Sequence, residues 1–426
     1  ISYCENCHCP CCLRGWPLYQ LDVNNAFLHG YIDEEVYIKP PPGYLKAQPG
    51  QVCKLKRSLY GLRQASRQWN KELNKFLISL NFQQSKQDYS LFTRTHDAEF
   101  LVILVYVDDI LITGTSKAQI EEVKVALDTA FTIKDLGLLA YFLGIEIHRT
   151  DNGIFLSQRK YIQDILTDAG LEECTPAPAP LSCGLKLSIA NGVLLDDPDV
   201  YRRLVGRLLY LGITRPDLSY CEQHLGQFVH SPRVLHLKAA LHVLKYLKGT
   251  IDNGLWYTAN SNTELSAYSD ADWSACQYNS RSLSAYAVFL GNNLVSWKTK
   301  KQRSVSKSSA EAEYRSMSAT ASELVWIRGL LGDLQVHISL PVKLLCDNTS
   351  AEHLAKNPMF DDKTKHLKRD MHYVREQVED SFIETAHVSG ALQLADLLTK
   401  PLASSRHQFL SAKLGLISKV QLEGGV

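Results

Sequence analysis

The residues best placed to do chemistry in this sequence are acids set at the ends of apolar stretches. Asp22 ends the run at 18–23, and Asp108 with Asp109 interrupts the apolar residues at 100–113. A second series follows, with Asp270 and Asp272 in Tyr-Ser-Asp-Ala-Asp-Trp, Glu311 and Glu313 in Ser-Ser-Ala-Glu-Ala-Glu-Tyr, Asp347 in Leu-Cys-Asp-Asn and Asp396 in Gln-Leu-Ala-Asp. Charges on such apolar scaffolds are costly unless paired or bound to a cation. Several carboxylates converging on one point can hold a pair of divalent cations for phosphoryl transfer. Each series therefore suggests a cation site, although Tyr-Val-Asp-Asp taken alone also suits a turn with two capping acids.

The elements that must position these acids are legible from periodicity. Residues 18–23 read as a buried strand, and 24–30 as a turn into a short helix closed by Gly30. Trp69, Leu73, Phe76, Leu77 and Leu80 recur at helical spacing over 67–81. The β-rich run 100–107, the acidic pair and the apolar residues 110–113 form a hairpin with two carboxylates at its tip, and 117–131 reads as a helix with Ile120, Val123, Leu127 and Ala130 on one face. Residues 175–199, with Thr-Pro-Ala-Pro-Ala-Pro and Asp-Asp-Pro, read as a linker or strap. Helices are expected at 201–213 and 233–247. Beyond 264 come strands at 265–269, 283–290 and 294–297, a helix at 309–331, a strand at 342–346, helices near Thr349 and Leu367, a strand at 382–388 and a helix from Leu392. A hairpin followed by alternating helices and strands is an α/β domain.

At 426 residues the chain is too long for one ordinary core, and 45% apolar with 21% charged residues is a globular balance. The run 100–107 falls far short of the roughly 20 apolar residues of a spanning helix, and no secretory signal is recognisable. A net charge of +1 announces no polyanionic partner. Locally the balance differs. Lys54, Lys56, Arg57, Arg63, Arg67, Lys71 and Lys75 face only Glu72 within their stretch, and Lys298, Lys300, Lys301, Arg303 and Lys307 face no acid. Beside carboxylate motifs, such stretches suggest phosphate binding.

Of the 11 cysteines, Cys4, Cys7, Cys9, Cys11 and Cys12 crowd around His8, but the next is Cys53, so the second ligand pair of a zinc finger is missing. Residues 3–13 can be encoded so that reading one base later gives an apolar helical stretch. Residues 1–14 are therefore expected to be out of frame or disordered, and to bind no zinc. Cys221 and Cys346 sit in apolar contexts and read as core residues.

Gln-Leu-Asp-Val-Asn-Asn-Ala-Phe-Leu-His-Gly (20–30), Ser-Leu-Tyr-Gly-Leu-Arg-Gln-Ala (58–65) and Tyr-Val-Asp-Asp (106–109), in this order, resemble the palm of copia-type retrotransposon reverse transcriptases. Tyr-Phe-Leu-Gly-Ile-Glu-Ile (141–147) resembles the primer-gripping hairpin that follows it, and the second acidic series resembles the ribonuclease H of the same elements. The resemblance covers about residues 15 to 415. It implies an α+β and α/β multidomain chain, in which a polymerase palm and thumb without fingers precede a ribonuclease H-like α/β domain. The boundaries are 15–170 for the palm and the region after it, 171–255 for a linker and helical connection, 256–415 for the ribonuclease H-like domain and 416–426 for a C-terminal tail.

The resemblance further implies two Mg²⁺ per active site, replaceable by Mn²⁺. Asp22 and Asp108 are then metal ligands with Asp109 as supporting acid. Phe27 blocks a ribose 2′-hydroxyl, and Tyr60, Gly61 and Gln64 lie near the incoming nucleotide and template. Asp270, Glu313, Asp347 and Asp396 are the nuclease ligands, Asp272 and Glu311 are bystanders, and His387 assists product departure or protonates the leaving oxygen. The implied partners are an RNA template, a DNA primer, deoxynucleoside triphosphates, an RNA:DNA hybrid and other polyprotein segments, with no membrane. The implied compartment is cytoplasmic, in a virus-like particle, or nuclear. Ser66 stands where the family usually has proline. Without fingers to clamp the triphosphate, polymerisation by this chain alone is expected to be poor. The alternative reading is a truncated, inactive transposon remnant that at most binds nucleic acid.

Overall fold

The computed structural model describes residues 14–44, 46, 48, 50–190, 192–259, 261–276, 278–356 and 368–423. The expectations for the cysteine-rich residues 1–13 lie outside the described residues. Two compact units are present, one formed by Gly15–Leu139 with Asp333–Gln335, the other mainly by Ala140–Gly332 and the chain from Val336 onward.

The first unit is built on a six-stranded antiparallel sheet. Its strands are β1 (Leu18–Val23), β2 (Gln83–Gln84), β3 (Leu91–His96), β4 (Glu99–Tyr106), β5 (Asp109–Gly114) and β6 (Ile133–Leu138), in the order β2-β3-β4-β5-β1-β6. Phe100 to Val105 are buried without interruption, as suits a central strand. Helix α1 (Ala65–Ser79) buries Trp69, Leu73 and Leu77 at i, i+4 and i+8, and α2 (Lys117–Phe131) buries Ile120, Val123 and Leu127. These side chains form one core with Leu21, Ile103, Ile110 and Ile112. Helix α2 starts where the Ser116 side chain accepts the amide of Gln119. The expected helix at 24–30 is a 3-10 turn, Ala26–His29. Strand β6 is largely exposed and escaped the sequence reading because backbone pairing with β1, not an apolar alternation, holds it.

The second unit contains β7 (Tyr141–Phe142), β8 (Ile145–Thr150), β9 (Gly153–Ser157), α3 (Arg159–Asp168), α4 (Pro198–Leu211), α5 (Ser219–Gly226), α6 (Val234–Gly249) and β10 (Asn253–Thr258). It continues through β11 (Leu265–Asp272), β12 (Leu283–Leu290), β13 (Asn293–Lys301), α7 (Ser309–Asp333), β14 (Val342–Cys346), α8 (Thr349–Lys356), α9 (Lys368–Glu379), β15 (Ile383–His387), α10 (Asp396–Thr399), α11 (Ser404–Lys413) and β16 (Leu416–Ser418). One sheet has the order β16-β10-β9-β8-β7 and the other β13-β12-β11-β14-β15. In the latter, β11, β12 and β13 are antiparallel while β14 and β15 join in parallel. Helices α3 to α6 share a core that includes Ile162, Tyr201, Leu208, Val243 and Leu247.

The chain after residue 415 departs from the expected tail. Leu416–Ser418 pairs with Asn253–Leu255, because Leu416 is buried and its backbone completes the edge of β10. The helix expected from Leu392 is delayed to Asp396, with a 3-10 turn at Gly390–Leu392. The buried Gln393 side chain is engaged instead with the carbonyl of Ser269, at 2.9 Å. Among the described residues, no helix is long and apolar enough to cross a membrane.

Candidate active sites

In the first unit the acids stand on neighbouring strands. Asp22 on β1 faces Asp109 on β5 in register, and the Val23 amide donates to the Asp108 carbonyl at 2.9 Å. The β4–β5 turn needs Val107 at φ +56°, and the Trp69 indole N–H fixes it by donating to the Val107 carbonyl at 2.6 Å. The core of α1 thus sets the height of the acidic pair. Gln20 donates to Asp109 at 3.2 Å. Burial pushes the Asp109 carboxyl up; the Gln20 hydrogen bond opposes this, while the charges of Asp108 and Asp22 add to it.

The Tyr60 hydroxyl donates to Asp108 at 3.5 Å and is pushed up by burial and then by the charge of Asp108. Phe27 lies against Tyr60 with ring centroids 4.4 Å apart. Gly61 has φ +93°, and a Cβ added there meets nothing within 4 Å. Gln64, at the start of α1, lines a cavity of about 800 Å³ with Arg67, Lys71 and Lys75 from the first basic stretch. All the residues expected at this site except Gly61 and Gln64 are therefore linked by strand pairing, a hydrogen bond or a ring contact.

In the second unit the acids come closer together. Ligand atoms of Asp270, Asp347 and Asp396 lie within 4.8 Å of one another, as do those of Glu313, Cys346 and Asp347. Asp347 belongs to both sets and so joins all four expected acids. Among the described residues Asp22, Asp108 and Asp109 form no such set. Asp270 projects from β11 and is 1% exposed, Glu313 comes from the first turns of α7, Asp347 follows β14, and Asp396 opens α10.

Local bonds fix these positions. Ser316 donates to the Asp270 carbonyl at 2.9 Å, and Glu313 accepts the Ala271 amide at 3.2 Å. Of the two bystanders, Glu311 is occupied structurally, accepting the Lys307 amide at 2.9 Å and Arg315 at 2.8 Å, while Asp272 joins neither set. His387 is exposed at the end of β15, in register with Cys346. It joins neither set, though its charge bears on Asp347.

Three participants escaped the sequence reading. Lys400 donates to Asp396 at 2.6 Å and to Asp270 at 3.3 Å, Thr399 donates to the other oxygen of Asp270, and Cys346 contacts Glu313 at 3.6 Å. The spacing in Asp-Leu-Leu-Thr-Lys hints only at the Asp396–Lys400 pair, and nothing in the sequence ties Lys400 to Asp270.

Crowding carboxylates in a desolvated site penalises their charge. Burial, then the charges of Asp270 and Asp347, push Glu313 up to about 9. Burial also raises Asp270 to about 6, against Lys400 and Thr399, with Asp396 and Asp347 adding to the rise. Asp347 is raised by burial too. Burial alone would lower Lys400, but Asp270 and Asp396 outweigh it and raise the ammonium. Four acids held together with one lysine in contact are a donor set that suits hard divalent cations.

Residues 11–183 match the family model for reverse transcriptase (RNA-dependent DNA polymerase). The chain is 43% identical over 404 residues to the retrovirus-related Pol polyprotein from transposon RE1 of Arabidopsis thaliana, covering 95% of this chain and 28% of that one. It is 34% identical over 308 residues to a putative transposon Ty5-1 protein of Saccharomyces cerevisiae, covering 71% of this chain and all of that protein. Similarity to solved structures is faint, with an N-terminal ribonuclease H domain from Mycobacterium tuberculosis aligning to 35% of this chain and 98% of its own at a TM-score of 0.26 and 13% identity. The chain spans about 28% of the length of the Arabidopsis Pol relative. With its reverse transcriptase region, its alignment to the RE1 Pol polyprotein over 95% of its own length and its alignment to the whole of the Ty5-1 protein, the chain belongs to the family of copia-type retrotransposon Pol polyproteins.

Proposed function

We propose that this chain carries two phosphoryl-transfer centres of a longer Pol polyprotein, one copying RNA into DNA and one cutting RNA in RNA:DNA hybrids. The observation that supports this best is the gathering of Asp270, Glu313, Asp347 and Asp396 through the shared carboxylate of Asp347. These four would hold two Mg²⁺, or Mn²⁺ in its place. Cations held there would supply activation of a water and neutralisation of charge on the leaving oxygen. His387, exposed beside Asp347, moves a proton at the leaving oxygen or helps the product depart.

In the first unit Asp22 and Asp108 hold the cations and Asp109 supports them. Phe27 excludes a ribose 2′-hydroxyl, and Tyr60, Gly61 and Gln64 border the incoming deoxynucleoside triphosphate and the template. The basic stretches at 54–75 and 298–307 meet phosphates of the RNA template, the DNA primer and the hybrid. Other polyprotein segments act alongside, in the cytoplasm or the nucleus.

The deciding experiment gives the full chain a labelled RNA:DNA hybrid with Mg²⁺, Mn²⁺ or EDTA. Cleavage that needs the divalent cation and disappears in Asp347→Asn is expected. Binding of the hybrid without cleavage, under every cation, would instead identify a remnant that retains only nucleic-acid affinity.

A further inference from the structure

The cluster in the second unit contains a cation of its own. The Lys400 ammonium donates to Oδ1 of Asp396 at 2.6 Å and to Oδ1 of Asp270 at 3.3 Å. These two acids belong to one three-acid set, and Asp270 is 1% exposed, so its charge has little water to lean on. The second oxygen of Asp270 takes the Thr399 hydroxyl. The second oxygen of Asp396 has Arg406 at 3.7 Å, and that guanidinium is itself committed to the carbonyls of Ala391 and Gly390. Among the described residues Lys400 is therefore the cation in direct contact with both carboxylates, and its side chain is 35% exposed, which leaves its flexible stem a way out.

We propose that Lys400 is a resident counter-cation of the Asp270–Asp396 pair, and that a divalent cation enters by expelling it. The inference rests on the reading of the four acids as cation ligands. Its physical basis is competition for the same oxygens. A hard divalent cation ligated by Asp270 and Asp396 needs the carboxylate atoms that Lys400 now holds, and an ammonium left within hydrogen-bond distance of them would repel it. The same lysine that offsets the repulsion between these acids thus lowers their cation affinity. By linkage, whatever stabilises the ammonium on the acids weakens the metal by the same factor. Once expelled, the ammonium stays tethered four residues from Asp396, at the border of the site.

The test measures Mn²⁺ binding by the electron paramagnetic resonance of free Mn²⁺, using the full chain and three variants. Lys400→Met, which keeps an unbranched stem and removes the charge, is expected to bind Mn²⁺ about tenfold more tightly. Lys400→Arg is not expected to gain affinity, and Asp347→Asn is expected to lose the part of the Mn²⁺ binding that belongs to this cluster while keeping any bound by Asp22 and Asp108. Equal or weaker binding by Lys400→Met, with wild-type binding still dependent on Asp347, would show that the lysine positions the loaded site, overturning the exchange while leaving the cation site in place. Wild-type protein that binds no Mn²⁺, or binds it equally in Asp347→Asn, would overturn the cation site and the exchange together.

A second measurement needs no variant. Covalent labelling of lysine amines, read at Lys400 by mass spectrometry, is expected to be slow without metal and several-fold faster with Mn²⁺. Labelling that is unchanged by Mn²⁺ under conditions where the metal binds would also overturn the exchange.

Discussion

The two carboxylate sites solve one electrostatic problem in opposite ways. In the first unit, Asp22, Asp108 and Asp109 stand half-buried on paired strands and a turn, and their ligand atoms do not close into a tight set. Solvent screens their repulsion, so the site can be open while empty. In the second unit, four acids from strand ends and helix starts are drawn together where water is largely excluded, and Lys400 and Thr399 supply the missing positive field. The open site is held mainly by backbone, through the Asp22–Asp109 register and the left-handed Val107 turn that the Trp69 indole pins. The closed site is held by side chains. An open site leaves more of its order to be supplied by whatever it binds, whereas a closed one is organised before its ligands arrive.

The largest expected effect separates the sites chemically. Asp347→Asn should lower hybrid cleavage by about 10³-fold or more, because the carboxylate common to both acid sets loses its charge. Asp272→Asn, outside both sets, should change it by only a few-fold, and Asp22→Asn should leave it intact. Rates measured on one labelled hybrid with equal amounts of the three variants decide this. Comparable losses in Asp272→Asn would mean that the grouping of acids is wrong, and a loss in Asp22→Asn would mean that the two sites do not act separately.

The next effect is on stability of the open site. Trp69 is 2% exposed, sits in the core of α1 and also holds the turn between Tyr106 and Asp109. Trp69→Ala should cost the first unit about 3–5 kcal/mol, read by denaturant unfolding. Trp69→Phe should cost less, since it keeps most of the ring and loses the bond to Val107. If the two were equally damaging, the hydrogen bond rather than the packing would be what holds the turn.

A smaller and pH-dependent effect belongs to the closed site. A carboxyl whose folded pKa is raised holds its proton more tightly in the folded chain, so its contribution to stability is complete below the unfolded value and is lost as pH rises through the folded one. For Asp270 that window runs from 3.8 to about 6, and for Glu313 from 4.5 to about 9. Metal-free protein in EDTA should therefore lose stability between pH 5 and pH 9. The buried His224, lowered to about 4 by burial and by neighbouring positive charge, works in the opposite sense at the acid end. Comparing melting curves with and without Mg²⁺ removes that common term. The gain on adding Mg²⁺ should grow with pH, since cation binding needs the deprotonated acids. A gain that shrinks with pH would mean that the metal binds elsewhere.

How much of this could be read from residues alone follows the same division. The strands and helix carrying most of the acids were legible because apolar periodicity marks them, the helix at Asp396 being the one whose start was misplaced, and α2 at 117–131 and β12 at 283–290 have the expected ends. The order of the acid motifs was legible too. Lys400 was not, because a lysine four residues from an aspartate is an ordinary surface pattern until the strand bearing Asp270 is brought beside it. Cys346 looked like simple core, and it is 1% exposed, but it also touches Glu313. Strand β16 was missed because three residues at a sheet edge carry no period of their own.

The smallest expected effect tests the claim that the open site is governed by backbone. Gly61 lies in the left-handed region at φ +93°, two residues before Arg63 and one after Tyr60, whose hydroxyl reaches Asp108. An added Cβ would meet no atom within 4 Å, so Gly61→Ala introduces no clash and its cost is conformational alone. That cost should be about 1–2 kcal/mol, read by denaturant unfolding of the first unit. Asparagine tolerates positive φ better than alanine, so Gly61→Asn should cost less, although it is the larger side chain. Crowding predicts the reverse order. If asparagine were the more damaging of the two, the loop holding Tyr60 would be limited by contact rather than by backbone conformation, and the contrast drawn between the two sites would fail at this position.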